Sequence, residues 1–232
     1  MGKSMASKHT NKSIRGFVIA IIFILIIVEI FALFSIWSIN KIVKIENQKL
    51  HQISLMNQSI LAADASFKQQ IQAWKNILIR GHEEKDFKKY KFQFKLKYSI
   101  TQKFISEAYD VCNQIETLGT FDCEKIKKMQ NDHELLRNSY VDNLDTFNLN
   151  QAGMYKKLDG KVRGIDQDLQ SLFFETSQSL SILFKNKQDE FVSLVDKRYY
   201  QIRFFLLTFL LLALGYVIVR FYTLLKSEPK ET

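Results

Sequence analysis

Residues that break helices are scarce in this sequence: it has a single proline, Pro229, and only eight glycines in 232 residues. Proline removes a helix hydrogen bond and glycine loosens the backbone, so their scarcity predicts long uninterrupted helices. No segment shows the alternation of a half-buried strand. Catalytic signatures are missing too. The sequence has no nucleophile elbow, no phosphate-binding glycine loop, no zinc-binding HExxH and no clustered histidine–cysteine set. Its carboxylates are dispersed at helix-surface spacing. Neither an enzyme nor a metal or cofactor is therefore expected. The net charge of +9 does not point to nucleic acid, because basic residues alternate with acids along helical faces, as from Glu83 to Lys97. A solvated or anionic-lipid-facing surface fits that distribution better.

Two long apolar stretches are present, at residues 17–39 and 204–225. Each is long enough to cross a hydrocarbon core of roughly 30 Å, which takes about 20 helical residues. The expected order is a tail (1–16), a first transmembrane helix (17–39), a polar domain (40–203), a second transmembrane helix (204–225) and a tail (226–232). Lys3, Lys8, Lys12 and Arg15 precede the first stretch without an acid, and Arg220, Lys226 and Lys230 accompany the second. Basic flanks favour the cytoplasm, and a long intervening domain translocates largely regardless of charge, so both termini are expected there. Residues 17–39 are too long for a signal-peptide core and lack a small-x-small cleavage site.

Within the polar domain, Leu50, Ile53, Asn57, Ile60, Asp64, Phe67, Ile71, Trp74 and Leu78 follow a heptad seam that stops at Gly81, a residue tolerant of the left-handed helix-ending conformation. A second seam reads Phe87, Tyr90, Phe94, Tyr98, Thr101, Ile105, Ala108, Cys112 and Ile115, closing at Leu118-Gly119. A third, capped by Thr120 or Asp122, carries Cys123, Ile126, Met129, His133, Leu136, Tyr140, Leu144 and Phe147. Gly153, Gly160 and Gly164 interrupt the pattern over residues 148–164. A fourth seam, Ile165, Leu169, Leu172, Phe173, Thr176, Leu180, Leu183, Phe184, Phe191, Leu194 and Val195, runs without a breaker into the second apolar stretch. The predicted fold is all-α: an antiparallel four-helix bundle continuous with two transmembrane helices, roughly 60 Å tall from about 40 residues per helix.

The run FKQQIQAWKNILIRG at residues 67–81 resembles the first-helix signature of a group of bacterial methyl-accepting chemotaxis receptors. His133 with Tyr140 and Phe147 resembles that group's H-x6-Y pattern in the third helix, and Val162-Arg163-Gly164-Ile165-Asp166 resembles its VRGID turn before the fourth. The resemblance covers roughly residues 64–172. It implies a periplasmic ligand-binding bundle, dimeric through its first and fourth helices, held in the bacterial inner membrane and serving chemotactic signalling. Such receptors continue into a HAMP linker and a methylated coiled coil, whereas this sequence ends seven residues beyond Leu225, at Lys226–Thr232. The expectation is a sensor module that works through a separate membrane protein, with a structural subunit of a larger membrane complex as the alternative.

Cys112 and Cys123 flank the turn between the second and third helices on seam positions, so a disulfide is expected in an oxidising compartment and a reduced core pair otherwise. Asn57 and Asp64 occupy positions where apolar residues belong. They set register or dimer pairing, or they contact a ligand. His133 has no companion at metal-ligand spacing, which favours a packed, hydrogen-bonded histidine over a ligand or pH sensor. Trp74, Arg80, Arg163 and Asp166 are expected at one end of the bundle, where the arginines hold a small anionic ligand or pair with Asp166 to fasten the loop. Glu29 lies mid-span in the first apolar stretch, with Thr208, Gly215 and Tyr216 on the second. These four are expected to glue helices within the subunit or to a partner, with proton handling as the alternative for Glu29.

Overall fold

The computed structural model describes residues 3–115, 121–145 and 154–226, with side chains of 15–115, 121–144, 156–223 and 226. All regular structure among them is α-helix: α1 (Lys3–Arg80), α2 (Glu84–Gln114), α3 (Glu124–Asp145), α4 (Met154–Val162) and α5 (Gln167–Lys226). Thr120, Leu118-Gly119 and Phe147, invoked as caps and seam ends, lie outside the described residues. The chain divides into two compact units, Met1–Glu46 with Glu190–Thr232, and Asn47–Asp189. Helices α1 and α5 contribute residues to both. No proline or glycine occurs between Gly16 and Gly81, or between Gly164 and Gly215, which allows α1 to reach 78 residues and α5 to reach 60.

In the first unit α1 and α5 are long and apolar enough to cross a membrane, with mean hydropathy of 3.3 and 2.4 in their best windows and none of those windows buried. Their apolar side chains face outward, as Ile19 (67% exposed) and Leu212 (69%) do. Phe31 of α1 meets Phe205 of α5 edge to face at 6.2 Å.

In the second unit one cluster gathers buried side chains from α1, α2, α3, α4 and α5. The α2 and α3 seams are buried much as their spacing predicts: Tyr90, Phe94, Thr101, Ile105, Ala108 and Cys112 on α2, and Ile126, Met129, His133, Leu136, Tyr140 and Leu144 on α3. Burying each large apolar side chain contributes about 1.5–3 kcal/mol, which anchors both helices. On α1 the buried face is rotated from the expected seam. Met56, Ala63, Gln70 and Ile77 are buried beside Ile53, Ile60, Phe67 and Trp74, while Leu50, Asn57 and Asp64 fall to its edge. That shift moves the two polar seam residues to the edge of the core, where Asn57 reaches Ser177 and Asp64 reaches Lys68.

Two local details differ from expectation. Gly81 is not left-handed: Gly164 is the positive-φ glycine, at +82°, among the described residues. What α1 needs at its end is close approach, because a Cβ at Gly81 would lie 2.3 Å from the Ile77 carbonyl oxygen. The glycine-bearing stretch also contains a helix, α4, because Leu158 and Val162, four apart, bury one stripe against the core. At the start of α3, Asp122 Oδ1 accepts the Glu124 N–H at 3.0 Å, satisfying one free donor of the first turn.

Candidate functional site

The chemistry of the second unit concentrates inside its core. Gln70 from α1 and His133 from α3 are both fully buried, and His133 Nε2 lies 2.7 Å from Gln70 Oε1. The amide oxygen only accepts, so the ring carries its proton on Nε2 and leaves Nδ1 as an acceptor. Among the described residues His133 Nδ1 and Gln70 Nε2 have no hydrogen-bond partner, and the same holds for Trp74 Nε1 and Thr176 Oγ1. Each unpaired buried polar atom costs about 1–3 kcal/mol, which a core chosen for stability alone avoids.

Rings enclose the pair. Phe67 meets the imidazole edge-on at 5.5 Å, Tyr98 from α2 lies across it at 5.0 Å, and the Arg137 guanidinium lies 5.0 Å over the Tyr98 ring. Burial pushes the His133 pKa down to about 4. The ring is therefore neutral at physiological pH, and protonating it would place a cation in a dry site with Arg137 close by. Further along, Trp74 packs on Tyr140 at 4.6 Å and on Phe94 at 6.2 Å. Burial raises the Tyr140 hydroxyl well above its usual range, and the nearby Asp166 and Asp159 carboxylates raise it further.

Of the proposed ligand residues, Trp74 is 2% exposed and fills the core, so it presents no surface to solvent. Arg80 Nη1 donates to Tyr90 Oη at 3.1 Å, joining the end of α1 to α2. Arg163 Nε donates to Asp159 Oδ2 at 3.1 Å, one turn back on the same segment, rather than to Asp166. Asp166 instead accepts from Gln170, one turn along α5, whose Nε2 lies 2.7 Å away. The VRGID segment thus forms the α4–α5 turn, with Gly164 supplying the positive φ and Val162 buried. Asp64 pairs with Lys68 at 2.6 Å, and its Oδ1 is buried without a partner. Asn57 links α1 to α5: Ser177 Oγ donates to its Oδ1 at 3.0 Å, and its Nδ2 donates to Ser181 Oγ at 3.4 Å. That placement gives Asn57 the register-fixing role.

Cys112 and Cys123 form a disulfide, with Cα atoms 6.0 Å apart, tying the end of α2 to the start of α3. The second unit also carries an open cleft of about 380 Å³ bordered by Lys128, Asp132, Ser139, Ile165 and Asp168. There Lys128 donates to Asp132 at 2.7 Å, and this bond together with the Asp132 charge raises the lysine pKa.

In the first unit Glu29, Thr208, Gly215 and Tyr216 all face outward, away from the α1–α5 contact. A Cβ at Gly215 would meet nothing within 4 Å, and Thr208 Oγ1 donates to the Phe204 carbonyl at 2.9 Å. The expectation that they join helices within the subunit is overturned, because α5 turns Leu206, Phe209 and Ala213 toward α1 instead. Among the described residues no group of three or more His, Cys, Asp or Glu could hold a metal ion. The sequence signalled the rings and seams of this unit but not the Gln70–His133 pairing, whose one sign was the heptad spacing of Gln70 with Met56, Ala63 and Ile77. The chain matches no protein-family model, no curated protein and no solved structure.

Proposed function

We propose that this chain is a membrane-anchored sensor module of the chemoreceptor type. In this reading residues 17–39 and 204–225 cross a bacterial inner membrane, both termini are cytoplasmic, and the second unit is a periplasmic antiparallel four-helix bundle of α1, α2, α3 and α5 that works as a dimer. It binds a small ligand or a protein partner and passes the event through its transmembrane helices to a separate membrane protein. The observation that carries the proposal is continuity: α1 and α5 each hold an exposed apolar window and, without a break, a row of core side chains in the second unit. A rotation or shift imposed on the core has a helical path to the apolar segments, and a rigid helix transmits such a displacement. The buried Gln70–His133 pair supports the same reading, because it links α1 to α3 through bonds that a rearranged core could exchange.

Thermal unfolding of the full chain in nanodiscs, screened against small anions and amino acids, tests it. A ligand at about 100 times its Kd stabilises by ~2.7 kcal/mol. A screen with no shift, together with a variant disrupting Gln70–His133 that leaves partner association unchanged, rejects sensing.

A second reading, a structural subunit of a larger membrane complex, is favoured by the apolar side chains that the second unit leaves exposed, such as Phe174 (69%), Leu135 (66%) and Phe92 (65%). The outward Glu29 also favours it, since a carboxylate facing lipid at a span centre costs about 2.5–3.5 kcal/mol and a partner can relieve that cost. Affinity purification from native membranes separates the two, because a scaffold copurifies with neighbours in fixed stoichiometry.

A further inference from the structure

The apolar unit contains a groove whose chemistry changes along its length. One end, a cavity of about 190 Å³ between α1 and α5, is bordered by Ser35, Ser38, Arg198 and Gln201. The other, about 200 Å³, is bordered by Ile27, Val28, Leu206 and Phe209 and is apolar throughout. Phe31 and Phe205, in edge-to-face contact, border both cavities, whose α1 linings, residues 31–39 and 27–31, follow one another along the helix. We propose that this groove binds one glycerophospholipid, with its phosphate on Arg198 and an acyl chain along Phe31 and Phe205. This inference rests on the membrane reading above and adds a defined lipid site to it.

Three observations favour this occupant. The groove spans α1 from Ile27 to Ile39, about 18 Å at 1.5 Å per residue, close to the ~15 Å depth of one leaflet's hydrocarbon. Next in sequence to its polar lining residues Ser38 and Arg198 stand Trp37, Tyr199 and Tyr200, which are 59%, 52% and 72% exposed. Tryptophan and tyrosine gather at headgroup level, where one face of the ring is wet and the other dry. Charge agrees as well: Lys41, Lys44, Lys197 and Arg203 flank the same end, and no acid occurs over residues 36–45 or 197–205. Arg198 Nη1 donates to Gln201 Oε1 at 3.3 Å, which orients the guanidinium and leaves others of its five N–H donors for phosphate oxygens. Ser35 Oγ already donates to the Phe31 carbonyl, so Ser38 is the available hydroxyl. A second copy's helix, about 10–12 Å across, is too wide for cavities of this size, whereas an acyl chain fits. The surrounding cations favour an anionic headgroup over phosphatidylcholine.

The full chain in nanodiscs containing phosphatidylglycerol with a diazirine on its acyl chain provides the test, with labelled peptides mapped by mass spectrometry. Labelling is expected to concentrate on the peptides holding Phe31 and Phe205. It should fall about tenfold in Arg198→Gln, the loss of a charge-assisted hydrogen bond, and in Ser38→Phe, which fills the mouth while keeping the charge. Replacing the probe by its phosphatidylcholine analogue should also weaken it. Even labelling around both helices, or labelling unchanged in both variants, overturns the site while leaving insertion intact. Cross-linking of Phe31 to a second copy overturns it in favour of a dimer contact. Release of the chain from membranes by alkaline carbonate, with no labelling at all, overturns the insertion on which it rests.

Discussion

Acid should loosen the second unit through a single imidazole. His133 is fully buried and its pKa is lowered from 6.5 to about 4 by desolvation. In the unfolded chain the ring titrates near its ordinary value. The folded-state pKa is the lower one, so below pH 6.5 the unfolded chain binds more protons, and stability is lost progressively as pH falls from 6.5 toward 4. Above 6.5 the ring is neutral in both states and adds no slope. One pH unit within the window corresponds to ~1.4 kcal/mol, and less near pH 6.5 where the unfolded ring is half protonated, so a step from pH 6.5 to 5 removes ~1.6 kcal/mol, about 3–6 °C in Tm for a unit of this size. Burial is the cause of the shift: Gln70 and Phe67 face the imidazole from α1 and Tyr98 from α2, none of them charged, and Arg137 lies over the Tyr98 ring. Circular-dichroism melts of the full chain in nanodiscs at pH 6.5 and 5, for wild type and His133→Gln, isolate the effect. The variant should lose less than half the wild-type shift. Equal acid shifts in both proteins would refute the assignment to His133.

Other consequences follow from the same packing. Cys112→Ser or Cys123→Ser should cost ~3 kcal/mol, the chain-entropy value for a loop with a sequence separation of 11, read as a lower Tm that matches the reduced wild type. Phe67→Ala should cost about 3–5 kcal/mol in denaturant melts, because the ring is fully buried against Phe173 and His133, whereas Phe174→Ala on the exposed side should stay within ~0.5 kcal/mol. Gly81→Ala should destabilise by at least ~1 kcal/mol, since its Cβ meets the Ile77 carbonyl, and a neutral melt would contradict the close approach. Glu29→Leu should disperse detergent-solubilised oligomers on size-exclusion chromatography, and an unchanged profile would remove the outward carboxylate from any interface.

Much of the helix order was legible because the sequence has few breakers, and the seams on α2 and α3 were read almost residue by residue because each lies on one strongly apolar stripe. The α1 seam was legible in part: Ile53, Ile60, Phe67, Ile71, Trp74 and Leu78 are buried as expected, whereas Leu50, Asn57 and Asp64 are not. Its heptad has two adjacent stripes, one with Asn57 and Asp64 and one with Ala63 and Gln70, and spacing alone does not choose between them. The core takes Ala63 and Gln70 from the second, while Asn57 finds Ser177 and Ser181, and Asp64 finds Lys68, at its edge. Helix α4 was hidden by Gly160 and Gly164, whose propensity the burial of Leu158 and Val162 overrides. The expected pairing of Arg80 or Arg163 with Asp166 gives way to local partners: Arg80 donates to Tyr90, Arg163 to Asp159, and Asp166 accepts from Gln170. The Gln70–His133 bond joins residues 63 apart, and no local pattern specifies such a pairing.

The central claim is that the second unit lies outside the cytoplasm, held by two crossings. Leu135 is 66% exposed on that unit, and both native cysteines are in a disulfide, so Leu135→Cys offers one reactive thiol. In intact spheroplasts a membrane-impermeant maleimide should label it fully. Labelling that appears only after the membrane is permeabilised would contradict the account.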